Sequence, residues 1–157
     1  MSTTSDDELS LRILHGAMVL GTVIFLGVAF FLNQNDPIGQ DFGDNIMLFY
    51  ILSAFFVVVA YLAVPYIVKP ILLQARQGKS LNVKMIGYRN YLIIKWATME
   101  AAVFFALVFY FLTAEYFFMG AALIGILASL TLAPSTPKTV RDLKLEGAER
   151  SEVEGLH

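Results

Sequence analysis

Three ionisable side chains, His15, Lys95 and Glu100, stand inside long apolar stretches of this sequence. A carboxyl in hydrocarbon is costly unless something pairs with it, so it marks either an ion path or a bond that ties helices together. Glu100 lies nine residues past Tyr91, where its stretch begins. At 1.5 Å per helical residue that is roughly 13 Å deep, near the middle of a bilayer. Two readings are open. In one, Glu100 binds a proton or cation in a small coupled transporter or channel. In the other it is a hydrogen-bonded structural carboxyl, with Thr22, at matching depth in the first stretch, as its partner.

Lys95 sits only about 6 Å inside the inner edge, where its stem lets the ammonium reach the headgroups. It is five residues from Glu100, a spacing that puts the two on different helix faces. His15 is expected to be an interfacial polar group. One carboxyl, one imidazole and one amine make no catalytic set, so no enzyme is expected. Without cysteine or carboxylates at ligand spacing, no metal site is expected either. No phosphate loop, nucleophile elbow or zinc-binding helix motif occurs, and no cofactor or nucleic-acid partner is implied.

The elements that must position these residues are four apolar runs: Ile13–Leu32, Ile46–Val64, Tyr91–Leu112 and Tyr116–Ala133. The chain is 57% apolar and 15% charged, with a mean hydropathy of +0.67, an excess that needs an apolar solvent. About 20 helical residues cross a hydrocarbon core, and lipid leaves helix as the one option for runs without alternation. The expected fold is an all-α integral membrane protein with four transmembrane helices at about 12–32, 46–68, 91–112 and 116–134. A segment 1–10 precedes this domain (11–134), and a tail 135–157 follows it. The first run is read as retained rather than cleaved, because its leader Ser5-Asp6-Asp7-Glu8 is acidic. The same four residues match a capping box. Pro65 and Pro70 are expected to bracket the inner end of the second helix, and Pro134 and Pro137 that of the fourth.

Charge sets the orientation. The loop 33–45 carries Asp36, Asp41 and Asp44 and no base, whereas 69–90 carries Lys69, Arg76, Lys79, Lys84 and Arg89 and no acid. The positive-inside rule then puts both termini and the basic loop in the cytoplasm of a plasma (bacterial inner) membrane. Tyr66, Tyr88, Tyr91 and Trp96 would form an aromatic belt at the inner edge. The basic loop from Lys69 to Arg89 is expected to lie on anionic lipid. The acidic outer loop reads as a solvated turn rather than a calcium site. The tail reads as a solvent-exposed helix or disordered chain.

A shift of 80 places lays the first run on the third with Ile13, Ala17, Val23, Phe25, Val28, Phe31 and Leu32 meeting identical residues. Two tandem helical hairpins in the same orientation are therefore expected. Small residues at four-residue spacing let helices approach. Ala17 and Gly21 against Ala97 and Ala101 would form a central seam, with Ala121, Gly125 and Ser129 a second stripe. The functional expectation is a non-enzymatic accessory or scaffold subunit with a membrane-protein partner or a second copy. The alternative is the Glu100 transporter.

Overall fold

The computed structural model describes residues 3–35 and 46–155, and of 3–7, 57, 61 and 63 the backbone alone. The expectations for Asp36, Asp41 and Asp44 fall outside the described residues. Among those described, every regular element is helical: α1 (Thr3–Asn35), α2 (Ile46–Val58), a π-helical turn (Val59–Ala63), α3 (Val64–Arg76), α4 (Leu81–Thr113), α5 (Tyr116–Leu130), α6 (Thr136–Leu143) and α7 (Gly147–Glu154). Two stretches, Glu8–Asn35 and Leu81–Thr113, are long and apolar enough to cross a membrane. Ile46–Phe56 and Tyr116–Leu130 are shorter apolar helices. α1 begins at Thr3, so Ser5 lies within the helix instead of capping it.

α2, the π turn and α3 follow one another without a break, and the helix passes through both Pro65 and Pro70. The expected stop does not occur. A proline has no N–H to give and crowds the carbonyl four residues back. The widened π turn immediately before Pro65, where the Val64 N–H reaches back to the Val59 carbonyl, absorbs that defect locally. The prolines of the tail act differently. α5 has already ended at Leu130, Pro134 lies in the link, and Pro137 sits in the first turn of α6, where a missing N–H costs nothing.

α4 is the central post, packing against α1, α2, α3, α5 and α6. Its pairing with α5 is a tight hairpin. Ala114 turns the chain in the left-handed region (φ 57°) and its N–H bonds to the Tyr110 carbonyl at 2.8 Å. Gly125 then lets the helices close: a Cβ there would stand 2.5 Å from Val103 Cγ2. α1 and α2 make no comparable pair. Each leans on α4 separately, α2 through Phe49 on Phe109 (5.3 Å between ring centroids) and Phe56 flat on Phe105 (4.0 Å). The sequence match at 80 places is therefore not reproduced as two equivalent hairpins, because bulky rings send α2 to α4.

The inner region departs most from expectation. Only residues 77–80 separate α3 from α4, so the basic segment 69–90 is a helical hairpin instead of a surface loop. At Gly87 the two backbones meet: an added Cβ would lie 2.8 Å from Ala75 Cβ and 3.0 Å from its Cα. The tail is docked on this hairpin. Leu143 and Leu145 join Met85, Tyr88, Leu92, Val68 and Ala75 in one core that reaches Leu11 of α1 and Trp96 of α4. Tyr88, Tyr91 and Trp96 are buried in it and form no interfacial belt, whereas Tyr66 is exposed. We call this region the head and the remainder of the bundle the anchor.

Candidate functional site

Glu100 lies on α4 facing α1, with 8% of its surface exposed. Its Oε2 is buried without a hydrogen-bond partner among the described residues. It lines an open groove of about 640 Å³ whose walls are Ala17, Gly21, Thr22, Phe25, Ala101 and Phe104, with Met18, Ile24 and Val28 completing it. Phe25 and Phe104 close one side with ring centroids 5.0 Å apart.

Thr22 shares this groove but is not Glu100's partner. Its hydroxyl donates to the Val19 carbonyl at 2.8 Å, back-bonding within α1. A serine or threonine in an apolar helix has that acceptor always at hand, so nothing obliges it to reach across. The small residues behave differently from a seam. Ala17, Gly21, Ala97 and Ala101 are all exposed, and a Cβ at Gly21 would meet nothing within 4 Å. Ala17, Gly21 and Ala101 open a groove where a close contact was expected. The close contact is made on the other stripe, where Gly125 and Ser129 are buried on α5 and Ala121 is half-buried. Ala121 and Gly125, with Ser53, Ala102 and Ala106, also line a second groove of about 530 Å³.

His15 is buried inside the bundle. It is 5% exposed, its ring lies 4.8 Å from that of Trp96, and Nε2 is 3.1 Å from the Ser129 carbonyl. Because that partner is a carbonyl, Nε2 is the nitrogen that carries the hydrogen and donates it. Trp96 Nε1 donates to the Leu132 carbonyl at 3.3 Å, and Lys138 Nζ to those of Thr131 and Ala133 at 2.8 and 2.9 Å. The last carbonyls of a helix have no partner inside it, and a cation there also suits the helix dipole. Together these three side chains close the end of α5. Lys95 leans back on Tyr91, with Nζ 5.6 Å above the ring centre and 3.5 Å from the hydroxyl, which it donates to. The three ionisable residues thus do not converge, although His15 is within electrostatic reach of Glu100.

A second polar cluster, in the head, was not expected. Lys84 Nζ donates to both oxygens of Glu149 at 2.6 and 2.8 Å. Arg76 Nε donates to the Asp142 carbonyl at 2.6 Å, and the Tyr88 hydroxyl to Asp142 Oδ2 at 3.2 Å. Thr136 donates to Glu8 at 2.7 Å, and Glu8 also pairs with Arg12, tying α6 to α1. Burial, and then the charge of Asp142, raises the Tyr88 hydroxyl well above the ordinary tyrosine value, so it remains a donor. Lys69, Lys79 and Arg89 stay exposed. A signal for the hairpin was present in Leu81, Met85, Tyr88 and Leu92, whose alternating spacing of four and three is that of a buried helix stripe.

Among the described residues no group of three or more His, Cys, Asp or Glu is placed to hold a metal ion. Comparison with protein-family models, with curated proteins and with solved structures finds no match in any of the three.

Proposed function

We propose that the chain is a four-span integral membrane protein of a bacterial inner membrane, both ends in the cytoplasm, serving as a non-enzymatic accessory or scaffold subunit of a membrane complex. The apolar residues that the helices turn outward support a lipid setting: Leu20 is 57% exposed, Ile124 70% and Leu127 62%. Water does not tolerate such contiguous faces on a monomer. α1 and α4 supply two crossings, the helix running from Ile46 to Arg76 a third, and α5 the fourth. The five bases between Lys69 and Arg89 favour the head inside, and exposed Lys69, Lys79 and Arg89 suit anionic headgroups.

One observation carries the accessory reading. The head's core runs without a gap from Leu143 into Trp96, so a folded cytoplasmic platform is joined rigidly to the spans. The polar residues inside the spans serve that junction: His15 and Trp96 close α5, and Lys95 leans on Tyr91. A stiff platform on an anchor suits holding a partner better than converting a substrate. Purification of the tagged chain from native membranes in mild detergent should bring down a stoichiometric membrane partner. Recovery of the chain alone under every mild condition overturns the reading. The unpartnered Oε2 of Glu100 keeps the cation-coupled transporter as the second reading. A well-folded Glu100→Gln chain that has lost its cellular phenotype favours it.

A further inference from the structure

Building on the accessory reading, we infer that α7 is a hinged flap over Lys84, and that lifting it opens a docking face for an acidic helical segment of the partner. The two tail helices are held unequally. α6 buries Thr139 and Leu143, and Arg76, Tyr88 and Glu8 all bond to it. α7 buries no residue. Among the described residues, the bond from Lys84 to Glu149 is its one polar tie to the rest of the chain. The bonds from Arg150 to Glu154 and from Ser151 to Gly147 are internal to it. Between the two helices the chain turns through Lys144 (φ 54°) and Gly147 (φ 53°), both left-handed. Eight residues make too short a helix to persist alone in water, so docking is what holds α7 in shape. Glu149 keeps 34% of its side chain exposed, and exposed ion pairs change a population by only about two- to fivefold. The flap is therefore the first part of the head to open, while the separate ties of α6 keep Leu143 in place.

What the flap covers says what replaces it. The segment 69–90 carries five bases and no acid. Among the described residues, the carboxylate paired with one of those bases is Glu149. Residues 146–154 hold Glu146, Glu149, Glu152 and Glu154 against Arg150 alone. Lifting them frees Lys84 on a hairpin where Lys69, Lys79 and Arg89 are already exposed. α7 is also the template for its competitor. Glu149 meets Lys84 while Val153, one turn on, packs against the head core, as residues four apart on one helix face can. A partner helix with a carboxylate and a branched apolar residue at that spacing makes both contacts. Position disfavours a lipid surface. Lys84 and Thr113 stand near opposite ends of α4, roughly 43 Å apart at 1.5 Å per residue. On the proposed topology Lys84 thus clears a hydrocarbon layer of about 30 Å, and a protein segment reaches it from solution.

The test uses the purified full chain in detergent and a dye-labelled peptide of residues 145–155, the flap's own sequence. Hydrogen exchange comes first. Amides of α7 should exchange at least tenfold faster than those of α6, and Lys84→Gln should speed α7 about two- to fivefold without moving α6. Exchange of α6 and α7 as one unit overturns the flap. Glu149→Ala unlatches the flap and leaves the hairpin intact, so that chain should bind the peptide about two- to fivefold tighter than the parent does. Adding Lys84→Glu should abolish binding, and a peptide carrying Glu149→Lys should restore it. Equal binding to the parent and the Glu149→Ala chain overturns the inference, as does binding indifferent to Lys84→Glu. A peptide of the same composition with the spacing of Glu149 and Val153 broken should bind about fivefold more weakly; equal binding overturns the template. Displacement of the peptide by short-chain phosphatidylserine but not phosphatidylcholine overturns it in favour of a lipid surface. A parent chain that dimerises, and ceases to with Lys84→Glu, overturns it in favour of a second copy's flap. These probes need no native partner. Their failure removes the flap and leaves the accessory reading, which stands or falls on co-purification.

Discussion

In the head, Lys84 meets Glu149 and Arg76 meets the Asp142 carbonyl around a core of Leu143, Met85 and Tyr88. In the anchor, Phe56 lies flat on Phe105 and Gly125 sits against Val103, while Leu20 and Ile124 turn outward. The same helix, α4, runs through both regions and changes its rules partway along. Its first turns bury an apolar stripe and expose charge, as a helix in water does. Farther on, apolar side chains stand on every face, and shape instead of polarity decides which face is inward. In lipid, contact and scarce hydrogen bonds hold helices together because apolar burial no longer separates inside from outside. That contrast fixes where each kind of substitution hurts.

On the proposed four-span topology, the sharpest break is between the head and the far end of the α4–α5 hairpin. Reporters fused after Gly147 should read cytoplasm and those after Thr113 exterior, all or none; equal signals would erase the division. Next comes a cavity in the head. Leu143 is almost fully buried, and Leu143→Ala should cost about 2–5 kcal/mol of head stability. Limited proteolysis should then cut within residues 136–154 while the rest of the bundle stays intact. If the rest of the bundle melts with the head, the two are one cooperative unit. In the anchor, Gly125→Leu forces a side chain onto Val103, and overpacking of this kind costs about 1–3 kcal/mol. Gly21→Leu, with open space at its Cβ, should melt within a degree or two of the parent. Equal losses in the two glycine variants would mean that the groove is closed in solution.

The smallest effect is alkaline. The Tyr88 hydroxyl is raised from the ordinary value of 10.0, so the folded head holds that proton more tightly than the unfolded chain does. Its stabilisation is full below pH 10 and is lost as the pH climbs beyond it. Melting of the head followed above that pH should fall less steeply in Tyr88→Phe than in the parent. Parallel curves would remove Tyr88 from the head's pH dependence.

The helical class and the apolar runs were legible because hydropathy integrates over twenty residues and tolerates local error. Glu100 was legible for the same reason, as one charge against a uniform background. The π turn was not, since a proline in a sequence reads as a stop and nothing in Val59–Ala63 announces the wider turn that accommodates it. The head was missed because composition averaged its few large apolar residues, Leu143, Leu145 and Val153, with many charges. Their spacing carried the information that their number did not. The seam at Gly21 failed for another reason. A small-residue stripe says that something can come close, not what does, and the tightest approaches lie at Gly125 and Gly87 instead.

The brevity of α5 has a consequence for its surroundings. Its fifteen residues rise roughly 22 Å, against a hydrocarbon layer of about 30 Å. His15, Trp96 and Lys138 close its end where it stops, so the helix is finished at that length rather than frayed. Were α5 the fourth span, as proposed, this flank would be too short for the lipid beside it, and the leaflets would pinch inward along that side. Each ångström of such mismatch costs a fraction of a kcal/mol, relieved when short flanks gather or when the membrane is thin. On the proposed four-span reading, that length would be a lateral address: a one-sided dimple drawing the chain toward thin patches and toward other short-spanned neighbours.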